Sequence, residues 1–192
     1  MRKLIVHQFI SLDGVIQAPG GVDEDTDGGF AHGGWTIPFW HDDIGMRFSQ
    51  AMETADTLLL GRKTWKTHGD AFEPMPPEEN PFGNVKKYVV STTLKSAAAW
   101  SNSTIISSNV VEEVRKLKNQ PGKNILARMA AACSLHTLIE NDLVDEFVLH
   151  VYPLILGSGK KLFPDGKYVK LKLIESAPLP TGVLYQRYEP VR

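Results

Sequence analysis

The chain predicts an α/β fold: a mostly parallel central sheet, helices packed on both faces, and an antiparallel hairpin at the C-terminal edge. Three observations carry this. Short apolar runs alternate with stretches of helical spacing along most of the 192 residues, the pattern of strand–helix–strand units whose strands lie side by side. The last two runs, 169–174 and 183–188, are separated by Pro178 to Gly182, a loop that returns the chain antiparallel. No internal repeat or shift of composition divides the sequence, so one domain covering 1–192 is expected.

Each element has its own signal. Residues 4–10 alternate well enough for a strand and stop at Ser11-Leu12-Asp13-Gly14, where Asp-Gly marks a turn. Residues 18–34 form a long glycine-rich, acidic loop. Structureless loops of that length are uncommon unless they cover a site, so a mobile flap is expected, with Trp35, Phe39 and Trp40 as its apolar contacts. Ile44, Phe48, Ala51, Met52 and Ala55 recur at helical spacing behind acidic residues suited to a helix start. A buried strand, Thr57-Leu58-Leu59-Leu60, then meets Gly61 and a helix beginning Arg62-Lys63-Thr64. After a proline-rich loop at 72–81, strands are expected at 87–91, 104–107 and 124–127. Val110, Val111, Val114 and Leu117 mark a helix face closed by Pro121-Gly122, a further helix ends at 136–141, and 147–156 is an apolar run containing Pro153.

Composition narrows the function. With 42% hydrophobic residues, 22% charged and a formal charge of −1, the chain has no broad electrostatic footprint for nucleic acid or an anionic membrane. The single Cys133 excludes an internal disulfide and a cysteine-based zinc site; no run is long enough to span a bilayer, and a cytoplasmic location is expected. The histidines lack the paired spacing of metal ligands, so no metal is expected. Ser158, in Gly157-Ser158-Gly159, lacks the outer glycines of a nucleophile elbow.

What remains is a set of strand ends. Gly61 lets the backbone turn and approach a ligand closely, and the free N–H groups of the helix start at Arg62, Lys63 and Thr64 attract anions. Ligands of open α/β sheets bind beyond the carboxyl ends of parallel strands, so Ser11 to Gly14, Gly61 to Thr64 and Ser91 to Thr93 could line one crevice. Asp13 also suits a plain turn, and Ser91-Thr92-Thr93 a plain cap.

These segments, with Leu143-Val144-Asp145-Glu146 and Pro153-Leu154-Ile155-Leu156-Gly157-Ser158-Gly159-Lys160-Lys161-Leu162-Phe163, look like the riboflavin-biosynthesis reductase domain, the C-terminal half of bifunctional deaminase-reductases. Their order matches over essentially the whole chain, and Gly-Arg-Lys-Thr-Trp is shared with dihydrofolate reductases. The resemblance implies a dihydrofolate-reductase-like sheet, NADPH as cofactor, hydride transfer to a small molecule, and a homodimer. It implies that Gly61 to Thr64 take the cofactor's phosphates, with Arg62 and Lys63 at a 2′-phosphate. By the same resemblance Ser91 and Thr92 border the adenosine, and Asp13 and Gly14 lie beside the nicotinamide. His150 faces the substrate or serves as a core histidine; Asp13 and His150 are the candidate catalytic groups, and Trp35 and Trp40 the substrate-facing ones.

Two departures stand out. Thr92 replaces an arginine found in some relatives, and relatives carry a glycine pair at the cofactor pyrophosphate where this chain has Ala130-Ala131. Any DNA encoding Met129-Ala130-Ala131-Ala132-Cys133, read in the frame that joins the last base of the Arg128 codon to the first two of Met129, gives a glycine codon next, so a pair of compensating frameshifts would account for the swap. The gene's nucleotides test this: a shifted frame without glycine followed by a small residue ends the idea. The alternatives are a pterin reductase, which needs an acid such as Asp42, Asp43 or Glu53 near the ring, and a non-catalytic nucleotide-sensing dimer.

Overall fold

The computed structural model describes residues 1–76, 78–129 and 132–192, so the expectations attached to Ala130 and Ala131 lie outside the described residues. The apolar runs become eight strands of one sheet: β1 (Leu4–Ser11), β2 (Ala55–Gly61), β3 (Lys86–Val90), β4 (Ser103–Ile106), β5 (Asn124–Arg128), β6 (Glu146–Tyr152), β7 (Leu171–Pro178) and β8 (Leu184–Pro190). Their order is β4-β3-β2-β5-β1-β6-β8-β7, with β8 antiparallel to both neighbours and every other pairing parallel. The helices are α1 (Asp42–Glu53), α2 (Arg62–Phe72), α3 (Val110–Asn119) and α4 (Ala132–Glu140). None of the described helices is long and apolar enough to cross a membrane.

The two-residue period of the strands sorts the core into two halves. Leu4, Val6, Leu59, Ile125, Phe147 and Leu149 face α3 and α4, where Val114, Leu117, Leu135 and Leu138 meet them. Ile5, Leu58, Leu60, Leu126 and Val148 face the other way, toward Ile44 of α1 and Trp65 of α2. Because β1, β2 and β5 are covered on both sides, their sequences are nearly continuous hydrophobic runs. Each such leucine contributes about 1.5–3 kcal/mol on burial.

Element ends show where local chemistry overrides pattern. The apolar run of β6 stops at Tyr152 because Pro153 has no N–H for the ladder, and Leu154 N–H folds back on the Tyr152 carbonyl (2.8 Å). The final hairpin is inverted relative to chain order: β8 pairs with β6 and leaves β7 at the edge, where Lys172 and Glu175 discourage further strand addition. Gly61 precedes α2 with φ −76° and ψ 155°, extended backbone that any residue adopts. The turn itself therefore does not require glycine at 61. The useful feature is that Gly61, having no side chain, places no capping group of its own over the first turn of α2.

Candidate functional site

The carboxyl ends of β2 and β3 open onto a cleft of about 480 Å³ whose lining includes Asp25, Asp27, Arg62, Lys63, Ser91 and Thr92. The register sets this: Gly61 pairs with Val90, so the start of α2 and the turn after β3 come out side by side. Arg62 is exposed and forms no ion pair among the described residues. Thr64 is buried in the first turn of α2. Ser91 Oγ accepts from the N–H groups of Thr93 (3.2 Å) and Leu94 (3.0 Å), so it shapes the turn that borders the cleft, while Thr92 is exposed.

Lys63 is engaged. Its Nζ lies 2.5 Å from Asp25 Oδ1 and 2.6 Å from Asp27 Oδ1, and Lys160 Nζ lies 2.6 and 2.8 Å from the other oxygens of the same two aspartates. Partial burial works against the Lys63 ammonium, yet the two carboxylates hold its pKa above the usual lysine range. Hydrogen bonds from Lys160 and Lys63 hold Asp27 at about 2.

This ring ties down the loop that the sequence presents as a mobile flap. Residues 18–34 are stitched by hydrogen bonds. Gln17 Nε2 donates to the carbonyls of Asp25 and Asp27 (3.0 Å each), Gly34 N–H to Ala18 O, and Thr36 Oγ1 to Pro19 O. Gly33 touches the opposite limb so closely that a Cβ would sit 2.3 Å from the Val22 carbonyl oxygen. Polar chain density of this kind, with Ala18 and Phe30 buried in the core, makes the loop an ordered cover.

Asp13 and Gly14 form the turn after β1. Gly14 has φ +89°, the left-handed region that favours glycine, and its N–H bonds Ser11 O. The Asp13 carboxylate accepts from Ser11 Oγ (2.6 Å) and from the N–H groups of Leu156 (3.1 Å) and Gly157 (2.8 Å). Burial pushes its pKa up, but these bonds outweigh that and hold it below the usual carboxylate range. Asp13 is thus an ionised tether between the ends of β1 and β6, a poor state for a proton donor. Asp13→Ala is expected to lower urea stability by about 1–3 kcal/mol through loss of charge-assisted bonds; an unchanged midpoint would show the tether to be idle.

Under α1 the strands present a second, buried cluster. On β1, His7 and Phe9 share a face with Ile5; on β6, His150 and Tyr152 share a face with Val148; and Arg128 ends β5 beside Leu60. The His7 and His150 rings meet edge-on with centroids 5.2 Å apart, and Phe9 and Tyr185 stand 5.3 and 5.2 Å from His150. The Arg128 guanidinium lies 4.7 Å from the Phe48 ring of α1. Among the described residues, neither ring nitrogen of His7 or His150 has a hydrogen-bond partner. Burial, then the charges of Arg128 and Arg47, depress His150 to about 3; burial and Arg128 depress His68 to about 3; burial and the neighbouring His150 and Arg128 take His7 well below its usual value. Burial lowers Arg128 itself to about 10. Buried polar groups without partners are rare in folded proteins and gather where a polar ligand or water completes them.

The substrate-facing candidates separate. Trp35 is buried, donates Nε1–H to Gln17 O (2.7 Å) and packs edge-on against Tyr152 at 5.2 Å. Trp40 is 57% exposed and lies over the first turn of α1 near Gly45. Sequence alone does not single out His7, Tyr152 and Arg128; the available signal is a histidine inside each of two largely apolar strands.

Comparison with known proteins fixes the family. The chain belongs to the RibD C-terminal domain family, which matches residues 2–185. It is 33% identical over 193 residues to the uncharacterized protein YyaP of Bacillus subtilis (strain 168), covering 95% of this chain and 92% of that one. A putative riboflavin biosynthesis protein from Shewanella sp. PV-4 superposes with a TM-score of 0.68 at 21% identity, over 99% of each chain. Dihydrofolate reductase from Enterococcus faecalis, complexed with NADP(H) and RAB-propyl, gives 0.63 at 17% identity, over 99% of this chain and 97% of that one. The sheet is therefore dihydrofolate-reductase-like.

Proposed function

We propose that this chain is an NADPH-dependent reductase resembling 5-amino-6-(5-phosphoribosylamino)uracil reductase, acting on a small heterocyclic or carbonyl substrate. The observation that carries the reading is one juxtaposition: a cation-bordered cleft at the start of α2 on β2, and a buried cluster of partnerless histidines beside Arg128 on β5, β1 and β6, the strands that follow β2 in the sheet. The first amides of α2 and the unpaired Arg62 fit a phosphate-bearing dinucleotide. When bound, NADPH supplies hydride from its nicotinamide.

In this reading the Arg62 side chain and the first-turn backbone of α2 at Arg62, Lys63 and Thr64 hold phosphate, Ser91 and Thr92 border the adenosine, and the Asp13–Gly14 turn borders the nicotinamide. His150 and His7 are neutral imidazoles at physiological pH, hydrogen-bonding groups that orient a carbonyl or ring nitrogen, not acids. Trp35 and the ordered cover exclude water from that contact. A homodimer in the cytoplasm completes the reading.

Tryptophan fluorescence during NADPH titration tests it first. Quenching below millimolar NADPH, followed by turnover of the phosphoribosylaminouracil, is the expected result; absence of binding at millimolar NADPH ends both reductase readings. Turnover of a pterin in its place would favour the folate-type alternative, for which Glu24, a carboxylate raised by burial, faces Arg128 of the cluster. Binding without turnover of either compound would favour the sensor, the reading that the alanines at 130 and 131 support.

A further inference from the structure

Two of the three cations that border the cleft are already spoken for. Lys63 and Lys160 alternate with Asp25 and Asp27 in a ring whose four contacts span 2.5 to 2.8 Å, and the Asp25 side chain is fully buried within it. Backbone fixes the ring in place: Gln17 Nε2 donates to the carbonyls of both aspartates, and Gln17 Oε1 accepts Lys160 N–H at 2.9 Å. A phosphate that recruited Lys63 would have to strip it from a buried carboxylate, and breaking a buried pair leaves an uncompensated charge. Arg62, one residue earlier on the same helical turn, is exposed and carries no such partner among the described residues. The cleft therefore offers a ligand one unpaired positive charge at this corner, not three.

We propose that Asp25 and Asp27 are cofactor-discriminating residues: by holding Lys63 and Lys160 they leave Arg62 as the reader of a 2′-phosphate and cap the preference for NADPH over NADH. This rests on the dinucleotide reading above. It assigns a specificity role to two carboxylates in the cover loop, and it removes Lys63 from the contacts that select the phosphorylated cofactor. Discharging Asp27 frees half of the grip on each lysine, and the released charge favours the dinucleotide that carries the extra phosphate.

The test is the ratio of NADH to NADPH dissociation constants, measured by tryptophan fluorescence on the full chain. Arg62→Ala is expected to collapse the ratio toward one. Lys63→Met is expected to change both constants together and hold the ratio within about twofold. Asp27→Asn, at an exposed carboxylate where folding is not at risk, is expected to raise the ratio by about three- to tenfold, an increase that disappears when Lys63→Met is added or when salt screens the site. A Lys63→Met ratio as low as that of Arg62→Ala overturns the proposal, as does an Asp27→Asn ratio equal to that of the unaltered protein. If both dinucleotides bind and the ratio fails to respond in this way, the discrimination is wrong while the dinucleotide site stands. If neither binds any variant, the dinucleotide reading falls and takes this one with it.

Discussion

Urea midpoints are expected to fall steeply as pH drops from 6.5 toward 4, because His7, His68 and His150 fold as neutral rings. Their ordinary value is 6.5; in the folded protein His68 and His150 lie at about 3 and His7 well below its ordinary value, with burial as the leading cause. Above 6.5 both states are unprotonated and the histidines add no pH dependence. Below it the unfolded chain binds up to three more protons than the native state, so stability falls with pH by up to about 4 kcal/mol per unit. The loss ends only as pH drops through the folded values near 3. Against a total stability of roughly 5–15 kcal/mol for a protein of this kind, that slope unfolds the chain at mildly acidic pH. His68→Leu removes one of the three protons and is expected to cut the slope by about a third. Midpoints that stay flat from pH 7.5 to 5 would show that these rings ionise in the native state, and that the cluster under α1 is open to water.

The same cluster shows what was legible in the sequence and what was not. Strands β1, β2 and β5 are readable because burial on both faces demands continuous apolar residues, and α1 is readable because only one of its faces is buried. The convergence of Ser11 to Gly14, Gly61 to Thr64 and Ser91 to Thr93 at one end follows from parallel pairing, which needs no side-chain detail. The cluster itself depends on register: His7 stands two residues from His150's partner Phe9 and so on the same face, and a one-residue slip would send these groups to opposite sides of the sheet. Registers between distant strands leave no local trace. Nor does loop order. The glycines and acids of residues 18–34 resemble a flexible linker, and it is their pairing with Lys63 and Lys160, each remote along the chain, that converts them into a fixed cover.

Gly159 is a point outside residues 18–34 where that cover is open to a single change. The bridge between Val15 and Lys161, with Ile16 N–H on Lys160 O (2.8 Å) and Leu162 N–H on Gly14 O (3.0 Å), presses residues 157–162 against the segment after β1. Gly159 sits in that seam with φ +120°, and a Cβ there would lie 2.7 Å from Val15 Cγ1 and 2.9 Å from Phe30 Cε2, both on buried side chains. Alanine at 159 therefore meets two penalties, a backbone conformation that L residues rarely adopt and overpacking against a closed core. Together they are expected to cost about 2–4 kcal/mol. Gly157 separates the two effects: its φ is +75°, but a Cβ would touch nothing within 4 Å, so Gly157→Ala carries only the backbone term, about 1 kcal/mol. Chemical denaturation of the two variants should thus differ by roughly 1–3 kcal/mol, with Gly159→Ala the weaker protein. Because Gly159 adjoins Lys160, that variant should also loosen the Lys160 contacts to Asp25 and Asp27, speeding protease cleavage within residues 18–34 while Gly157→Ala leaves it unchanged. Equal losses in the two variants, or a cover as resistant to protease in Gly159→Ala as in the unaltered chain, would mean that the seam yields around a methyl group and that the cover is held by its ion pairs without help from packing.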